Sequence, residues 1–483
     1  MSDATHPNPK DSNSKVPLRI KLAYGMGNAG VNLMANGINN LANFVFNIGL
    51  GVNPALIGIA LSLPRLWEAI TDPFMGSISD NYRSRYGRRR PFMFIGAFLS
   101  AFLFAIIWWV PRTWGHSALF YYLLATSILF WTAYTIYSIP FFAMGFEITD
   151  DQQERVKVMG YGAVLSTIFG FGLAWVFALV KLDVFHDIVD GGKYVSLGLA
   201  VIMLIFGLIP VFFGRENYSN EVQRQEKVPL IKGLRESLSN KPFMLIVYTV
   251  VFMLIGIMSI GTIGNYLNIY YVYGGAQKPA SVMQGWANTS YMVASLIASF
   301  LAPMLTARFG KKKLLLAFLI IAFVGALSKW FCYTPTYPVL QLLPNMLIGS
   351  GFAVMWMLTS SMTMDTCDLD ELINGTRREG TFCAANAWVQ KIGTSFAFYL
   401  SGVTLNIAGF DIARGGAQTA HAILMMRILA VSVPALATFI AIVLIAKYPI
   451  TEKRARETRE ALDARKQSKE ALPLESELCS QTE

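Results

Sequence analysis

Long apolar runs dominate the chain, each closed by charged residues, proline or glycine. A helix that crosses a bilayer needs about 20 mostly apolar residues. Runs of that kind cover 20–49, 54–80, 91–111, 117–147, 157–180 and 194–214. A second set covers 242–272, 280–307, 314–333, 337–362, 381–407 and 421–447. The pattern predicts an all-α polytopic membrane protein with twelve transmembrane helices in two six-helix halves, 19–214 and 242–447. A central cytoplasmic loop, 215–241, joins them. The polar segment 1–18, with Pro7 and Pro9, lacks the order of a secretory signal and is expected to be a disordered cytoplasmic tail. The charged segment 448–483 is expected to be another.

Loop charge orients these spans. Arg83, Arg85, Arg88, Arg89 and Arg90 follow the second span, and Arg308, Lys311, Lys312 and Lys313 follow the eighth. The central loop adds Arg215, Arg224, Lys227, Lys232, Arg235 and Lys241, whereas the opposite loops carry few cations. Both termini are therefore expected in the cytoplasm, with the chain multi-pass in the plasma (inner) membrane. Only 14% of residues are charged and 54% are hydrophobic, against about a quarter charged in a soluble domain. The net charge of +10 sits in the loops of one face, so lipid and not nucleic acid is the expected partner. The four cysteines and four histidines show no metal, disulfide or catalytic spacing, and no enzyme activity is expected.

The basic loops also repeat one another. Arg85-Tyr-Gly-Arg-Arg-Arg90 and Arg308-Phe-Gly-Lys-Lys-Lys313 follow the second span of each half. That repetition predicts two pseudo-symmetric halves, the architecture of the major facilitator fold, with a solute site near the midplane between them.

Ionisable residues at bilayer depth are costly and mark candidate sites. The second span holds Glu68 and Asp72, four residues apart and so on one helix face. Two carboxylates that close cannot both stay ionised cheaply, so one must bind a proton or share a cation. Thr71 adds a hydroxyl oxygen, which hard cations favour, and Pro73 frees carbonyls of the preceding turn. Arg65 is the one base nearby, leaving a surplus negative charge that favours a proton or sodium site over a structural ion pair. Lys391, well inside the eleventh span, is expected to compete with the cation across the halves.

The first span carries a stripe of asparagines, Asn28, Asn32, Asn36, Asn39 or Asn40, Asn43 and Asn47. Amides both donate and accept, which suits a neutral, hydroxyl-rich solute; the same stripe, with its glycines, also suits helix packing. Trp131, Tyr134 and Phe142 offer rings for stacking on a sugar. The segment from Asp365 to Glu379 is read as a cytoplasmic loop whose Asp365 and Arg377 form gate pairs between the halves. Asp80, Arg85 and Arg89 are expected to do the same.

Several motifs resemble the glycoside–pentoside–hexuronide:cation symporter family, melibiose permease-like, within the major facilitator superfamily. They are Lys21-Leu-Ala-Tyr-Gly25, Arg65-Leu-Trp-Glu-Ala-Ile-Thr-Asp-Pro-Phe-Met-Gly76, Ser84-Arg-Tyr-Gly87, Tyr134-Thr-Ile-Tyr-Ser-Ile-Pro-Phe141 and Gln390-Lys-Ile-Gly393. The resemblance runs from about 18 to about 447. It implies that Glu68 and Asp72, with Thr135, bind the coupling cation, sodium or a proton, and that Lys391 links cation and sugar. No other cofactor is implied. The sugar contacts depart from the family pattern: Asn32 and Ser138 stand where aspartates bind sugar, Phe142 replaces a tryptophan and Ala163 an arginine. Asn32, Asn36, Arg65, Trp131, Tyr134, Ser138, Phe142 and Trp388 are the candidate solute contacts, and melibiose is not the expected solute.

The expected function is secondary active transport, a cation:sugar or cation:glycoside symporter working by alternating access, acting as a monomer on a small molecule. The alternative is a carrier of a lysophospholipid or another amphiphile on the same fold.

Overall fold

In the computed structural model the described residues are 15–149, 151–214, 237–375, 379–462 and 464–465. They form two sets of six long helices. The first set is α1 (Leu18–Ala42), α2 (Pro54–Asn81), α3 (Arg90–Ile107), α4 (His116–Glu147), α5 (Gln152–Ala174) and α6 (Ile188–Phe213). The second is α7 (Lys241–Tyr266), α8 (Gln277–Phe309), α9 (Lys311–Cys332), α10 (Leu342–Asn374), α11 (Glu379–Ile407) and α12 (Ala420–Ala446). Helices are the answer to a solvent without hydrogen bonds, because each satisfies its own backbone. Nine of them, among the described residues, are apolar and long enough by themselves to cross a membrane. The other three are α1, α2 and α11, which carry the asparagine stripe, the two carboxylates and Lys391.

The repeat seen in the loops extends into three dimensions. At the end of α4, Glu147 accepts from Arg88 at 2.7 Å, just before α3. In the second half Asp365 of α10 pairs with Lys311, the first residue of α9, at 2.6 Å. The first helix of each half ends in a π-helical segment, Asn43–Gly49 after α1 and Leu267–Val272 after α7. Each segment contains a buried asparagine that closes the following turn: Asn47 donates to the Val52 carbonyl, and Asn268 to that of Ala280, both at 2.7 Å.

The halves join at the face opposite the basic loops, here the far face. Tyr266 donates to Asn47 Oδ1 at 2.5 Å, Asn406 to Asn53 at 2.8 Å, and Lys278 pairs with Asp183 at 2.6 Å. Glycines let α2 and α11 approach until backbones touch: a Cβ on Gly402 would lie 2.4 Å from the Pro54 carbonyl oxygen. On the other flank Trp175 packs over Gly285 and donates to Thr289 at 3.1 Å. These contacts run from the far face down to Lys391, so the molecule is closed on that side.

Three expectations need correction. Asp365 lies in no loop: α10 continues to Asn374, and Asp365 is buried on it. Its cations, Lys311 and Arg459, belong to its own half and tail, because that face of α10 packs on the start of α9. Asp80 and Arg89 likewise pair within the first half at 3.1 Å, Arg85 is exposed and stacks on Tyr86, and Arg377 lies outside the described residues. Asp80 and Asp365 thus each meet a cation of their own half or its tail. The tail after 447 is also partly ordered: residues 452–462 form a helix, with Tyr448, Ile450 and Leu462 buried. Apolar side chains on one face and Arg459 reaching Asp365 and Asp368 hold it against the second half. At the other terminus Val16 is buried and its N–H donates to Glu154 at 3.1 Å. The remainder of both tails, and 215–236, lie outside the described residues.

Candidate cation and solute sites

At mid-depth, where α2 faces α11, four charged side chains form one chain of contacts. Arg65 donates to Glu68 Oε2 at 3.0 Å, Lys391 meets Glu68 Oε1 at 3.0 Å, and Lys391 also contacts Asp72 Oδ2. Thr135 of α4 donates to Asp72 Oδ1 at 2.8 Å. Helical spacing puts the two carboxylates on one face of α2, and the neighbouring helix of the same half supplies the hydroxyl. Lys391 is the only member of the group from the second half. The surplus negative charge expected from α2 alone is absent here, since two carboxylates meet two cations. Burial makes that balance necessary, because a buried charge without a partner costs several kcal/mol.

The remaining candidates separate. Thr71 turns back to the Glu68 carbonyl at 3.4 Å, a long bond to its own helix that leaves its oxygen outside the carboxylate group. Arg65 stacks 3.4 Å over the Trp131 ring and donates to the Ala35 carbonyl, so it is fixed from three sides. Trp131, Tyr134 and Ser138 are buried within the first half. Phe142 and Trp388 are each 38% exposed and bond to none of the charged group. Asn32 accepts from Asn36, and Asn39 and Asn40 donate to carbonyls one turn back on α1. Of the stripe, Asn47 alone among the described residues hydrogen-bonds across the halves.

Nearer the far face, Asn36, Asn39, Asn40 and Asn43 line a cavity of about 200 Å³ between the halves. Thr262 and Asn265 of α7 and Ser401 of α11 complete its polar wall, with Phe44, Leu61, Met258 and Phe398 as its apolar part. Asn36 alone belongs to the solute contacts expected from sequence. The second-half residues are invisible as a site in the sequence, being ordinary small polar residues on two other helices and over two hundred positions away. Their one signal is the Gly-Thr-Ile-Gly-Asn run at 261–265, small and polar where the surrounding span is apolar.

Comparison with known proteins bears on this geometry. The profile of a family described as MFS/sugar transport protein matches residues 23–452. A glucuronide carrier protein homolog of Escherichia coli is 23% identical, over 95% of this chain and 98% of the relative. An isoprimeverose transporter of Lactiplantibacillus pentosus is 24% identical, over 87% and 86%. Among solved structures, a D-xylose-proton symporter superposes with a TM-score of 0.62 at 14% identity, covering 90% of this chain and 98% of that one.

Proposed function

The chain belongs to the MFS/sugar transport protein family, and from that premise we propose that it is a secondary active transporter coupling entry of a sugar or glycoside to sodium or a proton. It is a polytopic membrane transporter with the major facilitator fold, not an enzyme. The observation that carries the coupling is the double contact of Lys391 with Glu68 and Asp72. A cation can take those carboxylates only by displacing the ammonium, and the ammonium sits on the opposite half. Cation occupancy is therefore linked to how the halves meet.

The donor set fits either ion. Carboxylate oxygens with the Thr135 hydroxyl are hard ligands suited to sodium, and protonation of one carboxyl equally breaks its pair with Lys391. With the basic face taken as cytoplasmic, the far-face closure supports an inward-facing state with both termini inside. Lys391 holds the emptied carboxylates there, offsetting their burial during the return. Reciprocity follows: whatever the cation adds to solute affinity, the solute adds to cation affinity. Each chain carries both halves of its path, which supports a monomeric unit in the bilayer. An amphiphile carrier is less favoured, because the amide-lined cavity would leave its polar groups unpaired against an acyl chain.

The test is uptake into proteoliposomes of labelled hexosides, pentosides and uronides, each under an inward sodium gradient, an inward proton gradient, or none. Uphill accumulation of a solute under one gradient supports the reading and names the ion. Gradient-independent equilibration of every solute overturns it.

A further inference from the structure

We propose that the cavity between α1, α2, α7 and α11 selects an uncharged, hydroxyl-rich sugar ring and rejects uronates and sulfonated sugars. The proposal rests on the sugar-transport reading above and narrows its substrate class. Three observations carry it. The first is the lining. Four asparagines of α1 face Thr262, Asn265 and Ser401, and no charged side chain lines the cavity among the described residues. The space of about 200 Å³ equals about seven waters at roughly 30 Å³ each, room for a single pyranose ring.

The second is the state of those amides. Asn36, Asn39 and Asn40 spend one N–H each on the backbone of α1, and among the described residues nothing donates to their Oδ1 atoms. Neither the Asn43 nor the Asn265 side chain makes a hydrogen bond among the described residues. Amides of that kind, Asn36 exposed and the others partly buried, are matched by partners that both donate and accept, and ring hydroxyls do both. A carboxylate or sulfonate only accepts. Standing where a hydroxyl would, it would leave the Oδ1 atom it faces unmatched and bring its charge to a wall with no counter-ion.

The third is the account of cations inside the spans. Arg65 and Lys391 are held by Glu68 and Asp72. Lys329 is buried in α9 over the Tyr333 ring. Arg427 donates to the Trp330 carbonyl and stacks on Tyr271 and Trp330. None of the four lines the cavity. An anionic solute would have to draw Lys391 off the carboxylates, in competition with coupling.

The experiment measures inhibition of cation-driven uptake and, in parallel, ligand-induced thermal stabilisation of the purified full chain. The probes are methyl glucoside, methyl xyloside, glucuronate and a 6-sulfonated glucoside. The expected result is that a neutral probe competes and stabilises at least tenfold below the concentration needed for its anionic counterpart. Asn265→Lys should narrow or invert that ratio by supplying the missing cation, and Ser401→Ala should weaken neutral probes several-fold without favouring anions. Anionic probes preferred by the native chain, with the preference lost in Lys391→Gln, would overturn the proposal and leave symport intact. If no probe is accumulated under any gradient, the symport reading falls. The stabilisation ratio still decides the cavity's chemistry: equal or absent stabilisation by neutral and anionic probes overturns the proposal.

Discussion

Lys391 of α11 lies in contact with Asp72 of α2, from the opposite half, and completes a charge-balanced group with Glu68 and Arg65. Its side chain occupies the position proposed above for the coupling cation. The far-face ends of the same two helices are in backbone contact through Gly58 and Gly402. One helix pair thus carries both the proposed cation site and the far-face contact, so on this proposal occupancy and shape are tied by rigid elements and not by a loop.

Replacing Asp72 with Asn removes one carboxylate while keeping its shape and the acceptor for Thr135. Lys391 then retains Glu68 alone, and the ion pathway loses its second anionic oxygen pair. Uphill accumulation should be abolished, the steady-state ratio falling to equilibration, while solute counterflow between two equal pools persists. Gradient-driven uptake at the native level in Asp72→Asn would remove Asp72 from the mechanism.

Lys391→Gln has the opposite electrostatic sense. The carboxylates lose their bridging cation and carry a net negative charge against Arg65 alone. Affinity for the coupling cation should rise by on the order of tenfold, about 1.4 kcal/mol, and become insensitive to saturating solute. Cation titration by thermal shift, with and without solute, measures both quantities. An unchanged cation midpoint would mean that the ammonium and the cation do not share the site.

Much of the fold was legible from the sequence, because a bilayer forces about 20 apolar residues per helix and a basic face, both one-dimensional signals. The carboxylate pair was also visible: Glu68 and Asp72 are four apart, and helix geometry alone puts them together. What pairs with them was harder. Lys391, over 300 positions away, was marked by its depth in the span as a partner across the halves, but which carboxylate oxygens it meets depends on how the halves dock, which no local pattern encodes. The expected loop around Asp365 failed for the same reason, since Asp365 was judged by its charged neighbours and not by the helix that continues through it. The polar wall from α7 and α11 was missed because Thr262, Asn265 and Ser401 look like packing residues until the halves close on them.

Gly402 offers a handle on that closure. A Cβ there would stand 2.4 Å from the Pro54 carbonyl oxygen and 3.1 Å from the Ala55 Cα, backbone atoms that yield only if the helices part. Gly402→Ala should destabilise the far-face-closed state by about 1–3 kcal/mol, the usual cost of overpacking, and populate a far-face-open one. In a chain whose native cysteines are replaced, a cysteine substituted for Asn265 reports this to an impermeant thiol reagent. Labelling should quicken several-fold with Gly402→Ala; an unaltered rate in a folded protein would show that the contact does not set the equilibrium.

The buried pair at the basic face tests how each half is held. Asp365 is 5% exposed, between Lys311 at 2.6 Å and Arg459 at 3.3 Å. Asp365→Asn leaves the Lys311 ammonium beside a neutral amide, a loss of about 3 kcal/mol, the low end for breaking a buried pair. Arg459 is well exposed, so Arg459→Ala should cost no more than about 1 kcal/mol and mainly free the 452–462 helix. Melting temperature and protease cleavage within that helix separate the two effects. Equal losses would place the weight on the helix and not on the Lys311 pair.

Acid should loosen the start of α1 through Glu154, which lies before the apolar part of α5. Hydrogen bonds from Lys157, then Lys21, and the Val16 N–H hold its carboxyl down at about 2, against the opposing effect of burial. An unfolded glutamate titrates near 4.3. A lowered folded value means the carboxylate stabilises the docked segment fully above the unfolded value, and the contribution fades as pH falls from about 4.3 towards about 2. Amide exchange at Val16, corrected for its intrinsic pH dependence, should therefore be protected equally at pH 7 and 5 and lose protection below pH 4. Glu154→Gln should show the unprotected behaviour already at pH 7. Protection that survives to pH 2 in the native chain, or at pH 7 in the variant, would mean that Val16 is held by its apolar burial alone.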